Sequence, residues 1–427
     1  MSGSAATPRE LRACPGCGLF QVVPGLTPGL EARCERCNTV LRRARTDPLG
    51  RGLALNLAAL ILLAVMATTT LLTVSKAGIT HGAGLFSGPA EIVRRGMPEL
   101  AAVVLFVSLV APFGKLAGNT YVLLRLRCPN PPPHLARVFR MAQWLSPWSM
   151  IDVFVFGVLV AYVKLGDLVT IQLEMGVYAL FALTVVLSWA DSALDRNAVW
   201  EALEAERPVE RLAPNLRLYA YAIGCETCGL VSEPAHEGAA CLRCDAPLHE
   251  RKPNSLARTW ALAIAAAILY VPANYFPVLT VMQLGAGAPS TILGGVLELL
   301  EARQYPLAAL VFFASIAVPM LKLVGLAYML LATHLRSAAW MRGRTRLYEV
   351  VRFIGRWSMI DIFMESLLGA LVRFGTLVTI EPGGGAVAFC GVVILTMIAA
   401  ECFDPRLMWD AAEQGAPAEA RVRRATG

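Results

Sequence analysis

Charge is scarce in this chain: Asp, Glu, Lys and Arg make up 16% of its 427 residues, against 56% hydrophobic residues. A soluble globular domain carries roughly 25% charged residues, so the balance excludes a chain that folds wholly in water and points to one that lies largely in lipid. Histidine is rarer still, at 5 residues, and no His-bearing metal site is readable. A Walker A loop and a nucleophile elbow are also missing, which removes the usual ATPase and hydrolase machinery and argues against an enzyme. The net charge of +7 comes from short basic segments between apolar runs and not from an aromatic-studded groove, so nucleic acid is not the expected partner. The first apolar run starts behind a cysteine-rich segment, which is not the layout of a cleaved signal peptide, and the N-terminus is expected in the cytoplasm.

What is present is a series of apolar runs long enough to cross a hydrocarbon core of roughly 30 Å. Four lie near Leu53 to Val74, Leu100 to Leu126, Met141 to Val163 and Met175 to Leu194. After a polar interval, four more lie near Leu256 to Leu279, Pro306 to Thr333, Val350 to Val372 and Ala386 to Phe403. An even count puts both termini on one side. The segment from Arg125 to Leu145 carries Arg125, Arg127, Arg137 and Arg140 without an acid, and His334 to Arg356 carries six arginines against Glu349 alone. By the positive-inside rule both face the cytoplasm, while the opposite loops, residues 76–98 and 282–304 among them, show no such bias.

An internal repeat organises the chain. Trp148-Ser-Met-Ile-Asp152 recurs as Trp357-Ser-Met-Ile-Asp361, and Leu168-Val-Thr-Ile171 as Leu377-Val-Thr-Ile380, at an offset of about 209 residues. Pro112 with Lys115 matches Pro319 with Lys322, and Asp195 with Trp200 matches Asp404 with Trp409. Four helices per copy make the copies parallel rather than inverted.

Eight cysteines form four Cys-x-x-Cys knuckles: Cys14/Cys17 with Cys34/Cys37, and Cys225/Cys228 with Cys241/Cys244. Paired knuckles present four thiolates to one tetrahedral metal at about 2.3 Å, so two structural zinc sites are expected. The same ligands accept iron in a rubredoxin-like site, and a redox dithiol pair is the remaining alternative. The hairpins between knuckles hold sixteen residues in the first module and twelve in the second. Cys128, Cys390 and Cys402 have no partner pattern.

Within the apolar runs the ionisable residues stand out, because each costs roughly 2.5–3.5 kcal/mol at a helix centre. Lys115 and Lys322 fall in the second helix of each copy, Asp152 and Asp361 in the third; an antiparallel helix pair would join the lysine and aspartate of each copy, either to fix packing or for transport and proton coupling. Pro112 and Pro319 free the carbonyls of Ser108 and Ser315 beside those lysines. The second copy adds Glu365, one turn after Asp361, where the first has Phe156. Ser149 and Ser358 belong to the same polar set. Asn56, Asn119 and Asn274 read as packing hydrogen bonds, Trp144, Trp148, Trp340 and Trp357 as headgroup anchors, and residues 291–304 as a short amphipathic interfacial helix.

The expected architecture is an all-α polytopic membrane protein: zinc-ribbon module 1 (1–50), four-helix repeat 1 (51–200), a linker with zinc-ribbon module 2 (201–253), four-helix repeat 2 (254–410) and a cytoplasmic tail (411–427). The duplicated cysteine modules, the Pro-x-x-Lys pairs and the duplicated Trp-Ser-Met-Ile-Asp resemble the paraquat-inducible protein A family over nearly the whole chain. The resemblance implies a bacterial inner-membrane protein that works with an MCE-domain partner spanning the periplasm and moves phospholipid or similar lipid between membranes. It also implies a polar core of Lys115, Ser149, Asp152, Lys322, Ser358 and Asp361. A membrane redox or metal sensor, and a scaffold that only anchors an MCE protein, are the competing readings.

Overall fold

The computed structural model describes residues 10–76, 79–166, 170–206, 209, 211–212, 222–234, 236–283, 286–372 and 378–415. Ribbon 1 consists of two hairpins, β1 (Glu10–Ala13) with β2 (Phe20–Val23) and β3 (Glu31–Arg33) with β4 (Val40–Arg43). Half one then runs α1 (Pro48–Thr68), β5 (Thr70–Lys76), β6 (Ile79–Gly84), α2 (Ser87–Arg94), α3 (Pro98–Leu105), α4 (Ala111–Arg125), α5 (Leu135–Leu145), α6 (Ile151–Gly166), β7 (Thr170–Leu173), α7 (Met175–Ala193) and α8 (Arg196–Glu206). Ribbon 2 carries β8 (Ile223–Gly224) and β9 (Val231–Ser232), followed by an isolated bridge between Ala240 and Pro247. Half two repeats half one: α9 (Ser255–Tyr275), β10 (Leu279–Gln283), β11 (Ala286–Ser290), α10 (Ile292–Glu301), α11 (Tyr305–Phe312), α12 (Val318–His334), α13 (Met341–Ile354), α14 (Ile360–Leu371), β12 (Val378–Pro382), α15 (Gly384–Cys402) and α16 (Arg406–Gly415).

Local chemistry sets the helix ends. Pro48 opens α1 where its missing N–H costs nothing, and the Asp47 carboxylate accepts from Gly50 N at 3.1 Å. Thr291 caps α10 through Gly294 N at 3.1 Å. At 21 residues α1 and α9 are about 30 Å long, the thickness of the hydrocarbon core.

Among the described residues seven helical stretches are long and apolar enough to span a membrane: Pro48–Thr68, Pro98–Arg125, Leu135–Gly166, Met175–Ala193, Ser255–Tyr275, Tyr305–His334 and Gly384–Cys402. The remaining expected span, Val350 to Val372, is divided. α13 is charged, and α14 has 12 residues, about 18 Å, which is short of the bilayer core. Every residue of α14 is buried, because it is wedged against α6 and α2 of the other half. Gly157 of α6 lies so close to it that a Cβ there would meet Phe363 Cβ at 2.7 Å, and the rings of Phe154 and Phe363 pack edge to face at 5.2 Å.

Two three-stranded antiparallel sheets, in the orders β6-β5-β7 and β11-β10-β12, close the end opposite the ribbons, and the all-α expectation leaves them out. They account for part of the repeated Leu-Val-Thr-Ile: β7 brings Thr170 and Ile171, and β12 brings Val378, Thr379 and Ile380, alongside the strand that follows the first helix, while Leu168, Val169 and Leu377 lie outside the described residues. In α10, Ile292, Val296 and Leu299 turn inward while Leu293, Leu297 and Leu300 stay exposed.

The four-cysteine clusters cross over. Ribbon 1 precedes half one, yet its cysteines cluster with Trp409 and Met341 of half two, and Arg342 donates to the Arg36 carbonyl at 2.9 Å. Ribbon 2 precedes half two, yet its cysteines cluster with Leu53, Val122, Phe139 and Trp200 of half one. Arg137 pairs with Asp245 at 3.0 Å and Arg140 donates to the Cys244 carbonyl at 3.0 Å. The repeated Asp and Trp thereby gain a physical role. Asp195 and Asp404 accept from Asn197 N and Arg406 N at the starts of α8 and α16. Trp200 and Trp409, one turn into those helices, are the platforms on which the ribbons sit.

Ribbon 2 is clamped by a buried charge cluster in which Glu204 of α8 pairs with Arg243 and with Arg211, the latter at 2.6 Å. Burial alone would raise the Glu204 carboxyl, but Arg211 and Arg243 outweigh it and hold it below its ordinary 4.5. The clamp's stabilisation is therefore complete above the unfolded-state pKa and is lost as pH falls through the lower folded value. Glu204→Ala strands the Arg243 guanidinium, 1% exposed, and is expected to cost about 3–5 kcal/mol, read as a lower Tm at pH 7 and a shallower loss of Tm on acidification than in the unmodified chain. An unchanged Tm at pH 7 would remove the clamp from the account.

Candidate functional site

Each four-cysteine cluster is built by two knuckles that share one hydrogen-bond pattern. The first Cys amide bonds back to the residue five positions on, as in Cys14 N to Leu19 O at 2.9 Å, and the residue four positions on returns to the Cys carbonyl, as in Gly18 N to Cys14 O at 2.9 Å. The pattern recurs at Cys34, Cys225 and Cys241. It needs a left-handed residue after each knuckle, supplied by Gly18 (φ 77°), Gly229 (φ 74°), Asn38 (φ 68°) and Asp245 (φ 56°). The longer stretch between the knuckles of ribbon 1 carries β2 and β3, and β3 pairs with β4 beyond the second knuckle, where ribbon 2 has a single bridge between Ala240 and Pro247.

The sulfurs converge. Cys14 and Cys37 Sγ lie 3.3 Å apart and Cys17 and Cys34 Sγ 3.5 Å apart; Cys225 to Cys244 and Cys228 to Cys241 are both 3.6 Å. In each cluster all ligand atoms fall within 4.8 Å of one another, and all eight cysteines are buried and free of disulfides. Four thiolates about 2.3 Å from one centre stand near 3.8 Å from each other, so both clusters fit a tetrahedral metal ion. Gln21 Nε2 donates to Cys34 Sγ at 2.9 Å, the outer-sphere bond expected of a charged thiolate. Cys128, Cys390 and Cys402 join neither cluster.

In the membrane the two expected Lys–Asp pairs do not form. Lys115 Nζ pairs with Asp191 of α7 at 2.6 Å, and Asp152 lines the small cavity beside them with Ser149 and Arg356. Lys322 Nζ donates to the Gly355 carbonyl at 3.3 Å, and Asp361 instead accepts from Ser315 Oγ. The backbone is irregular here: a π-turn over Phe106–Val110, and its counterpart over Phe313–Ala317, precedes each proline. The Ser108 and Ser315 hydroxyls donate to the carbonyls of Val104 and Val311 at 2.6 and 2.7 Å, and Met150 N donates to the Val107 carbonyl in the irregular turn at 3.3 Å.

Charges instead meet across the halves. Arg356 of half two reaches the Lys115 cavity. Lys164, at the end of α6 in half one, lies within electrostatic reach of Glu365, Glu298 and Asp361 in half two, with no ion pair or hydrogen bond to them among the described residues. Asp361 Oδ1, Glu365 Oε2 and Ser358 Oγ are buried with no hydrogen-bond partner among the described residues. Phe156, which stands where half two has Glu365, packs on Trp357 at 4.9 Å between ring centres, so Trp357 is drawn into the core instead of anchoring at headgroups. Trp148 likewise packs on Phe106, whereas Trp144 and Trp340 remain exposed.

Asp191, Lys164, Glu298 and Arg356 escape a reading based on repeats. Half two has Ala400 in the place of Asp191, and Lys164, Glu298 and Arg356 sit at helix ends where charge is ordinarily solvated. Asn56 and Asn274 bond to carbonyls four residues back, at 2.7 and 2.8 Å, as packing residues do.

A family model described as paraquat-inducible protein A matches residues 49–204 and again 256–413, one copy per half. The chain is 35% identical over 402 residues, 93% of its own length and 95% of the relative's, to "Intermembrane transport protein PqiA" of Escherichia coli (strain K12). It is 30% identical over 406 residues, 95% and 92% of the two lengths, to "Lipophilic envelope-spanning tunnel protein A" of the same organism. A "Probable intermembrane transport protein" of Haemophilus influenzae is 26% identical over 411 residues. No solved structure matches. With the family model covering both halves and relatives aligned nearly end to end, the chain belongs to the paraquat-inducible protein A family.

Proposed function

We propose that this chain is the inner-membrane subunit of a lipid transport system, loading or extracting phospholipid-like lipid to or from an MCE-domain partner in the periplasm, with the ribbons and both termini in the cytoplasm. The observation that carries the reading is the end-to-end similarity to relatives named for intermembrane transport and for an envelope-spanning tunnel. The arginine-rich segments gather at the ribbon end, which supports a cytoplasmic ribbon face.

The working parts are the buried acids Asp361 and Glu365 with Ser358 at the α6–α14 contact, and the set of Lys115, Ser149, Asp152 and Lys322. Carboxylates wedged between two halves, with unfilled hydrogen-bonding capacity, change the energy of that contact whenever they gain or lose a proton. This supplies a means of coupling proton uptake to a shift of one half against the other. The eight knuckle cysteines would each hold a structural zinc ligand position, two ions in all, and zinc would supply folding free energy to ribbons too small to fold on apolar burial. No catalytic step enters this reading.

The test is capture. Full-length protein purified from cells is expected to bring down an MCE-domain protein and to crosslink to phospholipid from photoreactive residues placed beside Gly157. A chain that captures the partner but never lipid would reduce it to an anchoring scaffold.

A further inference from the structure

On the ribbon side of half two, α13, α16 and ribbon 1 enclose an open cavity of about 810 Å³, within the roughly 300–1,000 Å³ of small-molecule sites. Its charge is one-sided. Arg36, Arg342 and Arg346 line it against Glu413 alone. Glu413 is taken by Arg36, whose guanidinium also covers the Trp409 ring at 4.4 Å. Arg342 spends two donors on the Arg36 and Glu35 carbonyls at 2.9 and 3.3 Å, which seats ribbon 1 but leaves the cation uncompensated. Arg346 is exposed and has no ion pair or hydrogen bond among the described residues. Glu349, one turn on, is engaged by Thr39 at 3.3 Å.

Half one uses the corresponding face differently. Arg137, the repeat equivalent of Arg346, is paired with Asp245, and Arg140 is held by the Cys244 carbonyl, so ribbon 2 occupies the place that is open under half two.

The face is also graded. Arg342, Arg346, Val350 and Phe353 fall on one stripe of α13 by their helical spacing. The arginines lie at the ribbon end, while Val350 (48% exposed) and Phe353 (58% exposed) lie at the end that leads into the fully buried α14. Trp340, a further lining residue, is 65% exposed, as suits a ring at headgroup level. Two guanidinia over an apolar track match a molecule with an anionic phosphate at one end and acyl chain at the other.

We propose that this cavity binds the headgroup of an anionic phospholipid drawn from the leaflet on the ribbon side, with Arg342 and Arg346 on the phosphate and the acyl chain along Val350 and Phe353. The proposal goes beyond the transport reading and rests on it only for the bilayer around α13.

The test uses full-length protein in detergent, titrated calorimetrically with short-chain phosphatidylglycerol, short-chain phosphatidylcholine and inorganic phosphate. Phosphatidylglycerol is expected to bind tightest, and Arg346→Ala to weaken it about tenfold, the loss of one charge-assisted contact, with two metals per chain retained. Val350→Glu, which leaves both arginines in place, is expected to weaken the lipid and spare inorganic phosphate. Unchanged phosphatidylglycerol affinity in both variants would overturn the site, and inorganic phosphate binding as tightly as the lipid would overturn the lipid as occupant. Lipid transfer that fails while this binding persists counts against the transport reading and not against the site.

Discussion

A chain carrying Cys14→Ser with Cys17→Ser is expected to hold one zinc ion instead of two and to lose order in half two, although the substituted residues precede half one. Removing two of four thiolates removes the ribbon's metal, and with it folding free energy on the order of 10 kcal/mol. An unfolded ribbon 1 leaves Trp409 and Met341 without the cysteine cluster they pack on and deprives Glu349 of Thr39. Hydrogen exchange should therefore quicken most in α16 and the start of α13. Half one keeps most of its protection, because the bonds of ribbon 1 to it are peripheral polar ones, among them Arg12 to Asn197 at 2.7 Å and Arg42 to Glu201 at 2.7 Å. The mirrored change, Cys225→Ser with Cys228→Ser, should loosen α8 and α5 instead. Elemental analysis of the unmodified chain should return two zinc ions; iron in their place would correct the metal, and faster exchange confined to half one after the ribbon 1 change would refute the crossed docking.

The second large effect concerns the charges that lie near each other across the halves. Lys164 is the cation within electrostatic reach of Glu365, Glu298 and Asp361, so Lys164→Met removes the positive charge nearest the buried acids. The cost is expected toward the lower end of roughly 3–5 kcal/mol, since Lys164 itself is only half-buried. The protein level and Tm should both fall. Adding Glu365→Gln removes one of the acids left without the nearby cation and should recover level and Tm without recovering transport. Lys322→Met with Asp361→Leu, by contrast, should not behave as a repaired pair, because Lys322 is bonded to the Gly355 carbonyl and Asp361 to Ser315. Non-additive recovery in that last double variant would restore the direct Lys322–Asp361 pair and contradict the cross-half arrangement.

Much of this arrangement is written in local pattern. The knuckles announce their sites because four thiolates at fixed spacing have few other uses, and the Asp195/Trp200 and Asp404/Trp409 echoes mark the duplicated ends. Prolines three residues before Lys115 and Lys322 locate the irregular backbone, though not that it takes the form of a π-turn. The pairings across halves are another matter. Docking of ribbon 1 on Trp409, or Lys164 within electrostatic reach of Glu365, joins residues roughly two hundred or more positions apart, and a repeat looks the same whether its appendages pack on their own half or on the other. Residues that break the repeat, Asp191 against Ala400 and Glu365 against Phe156, carry the asymmetry. The short, wholly buried α14 was concealed for a physical reason: a helix shielded by neighbouring protein is as apolar as one facing lipid, so hydropathy alone cannot separate the two.

The most direct measurement is transfer of a labelled phospholipid between vesicles containing the full chain and a soluble MCE-domain protein. The account predicts transfer by the unmodified chain and its loss when Asp361→Asn and Glu365→Gln are combined, at equal protein level and with both metals in place. Equal transfer by that variant, or no transfer by the unmodified chain, would contradict it.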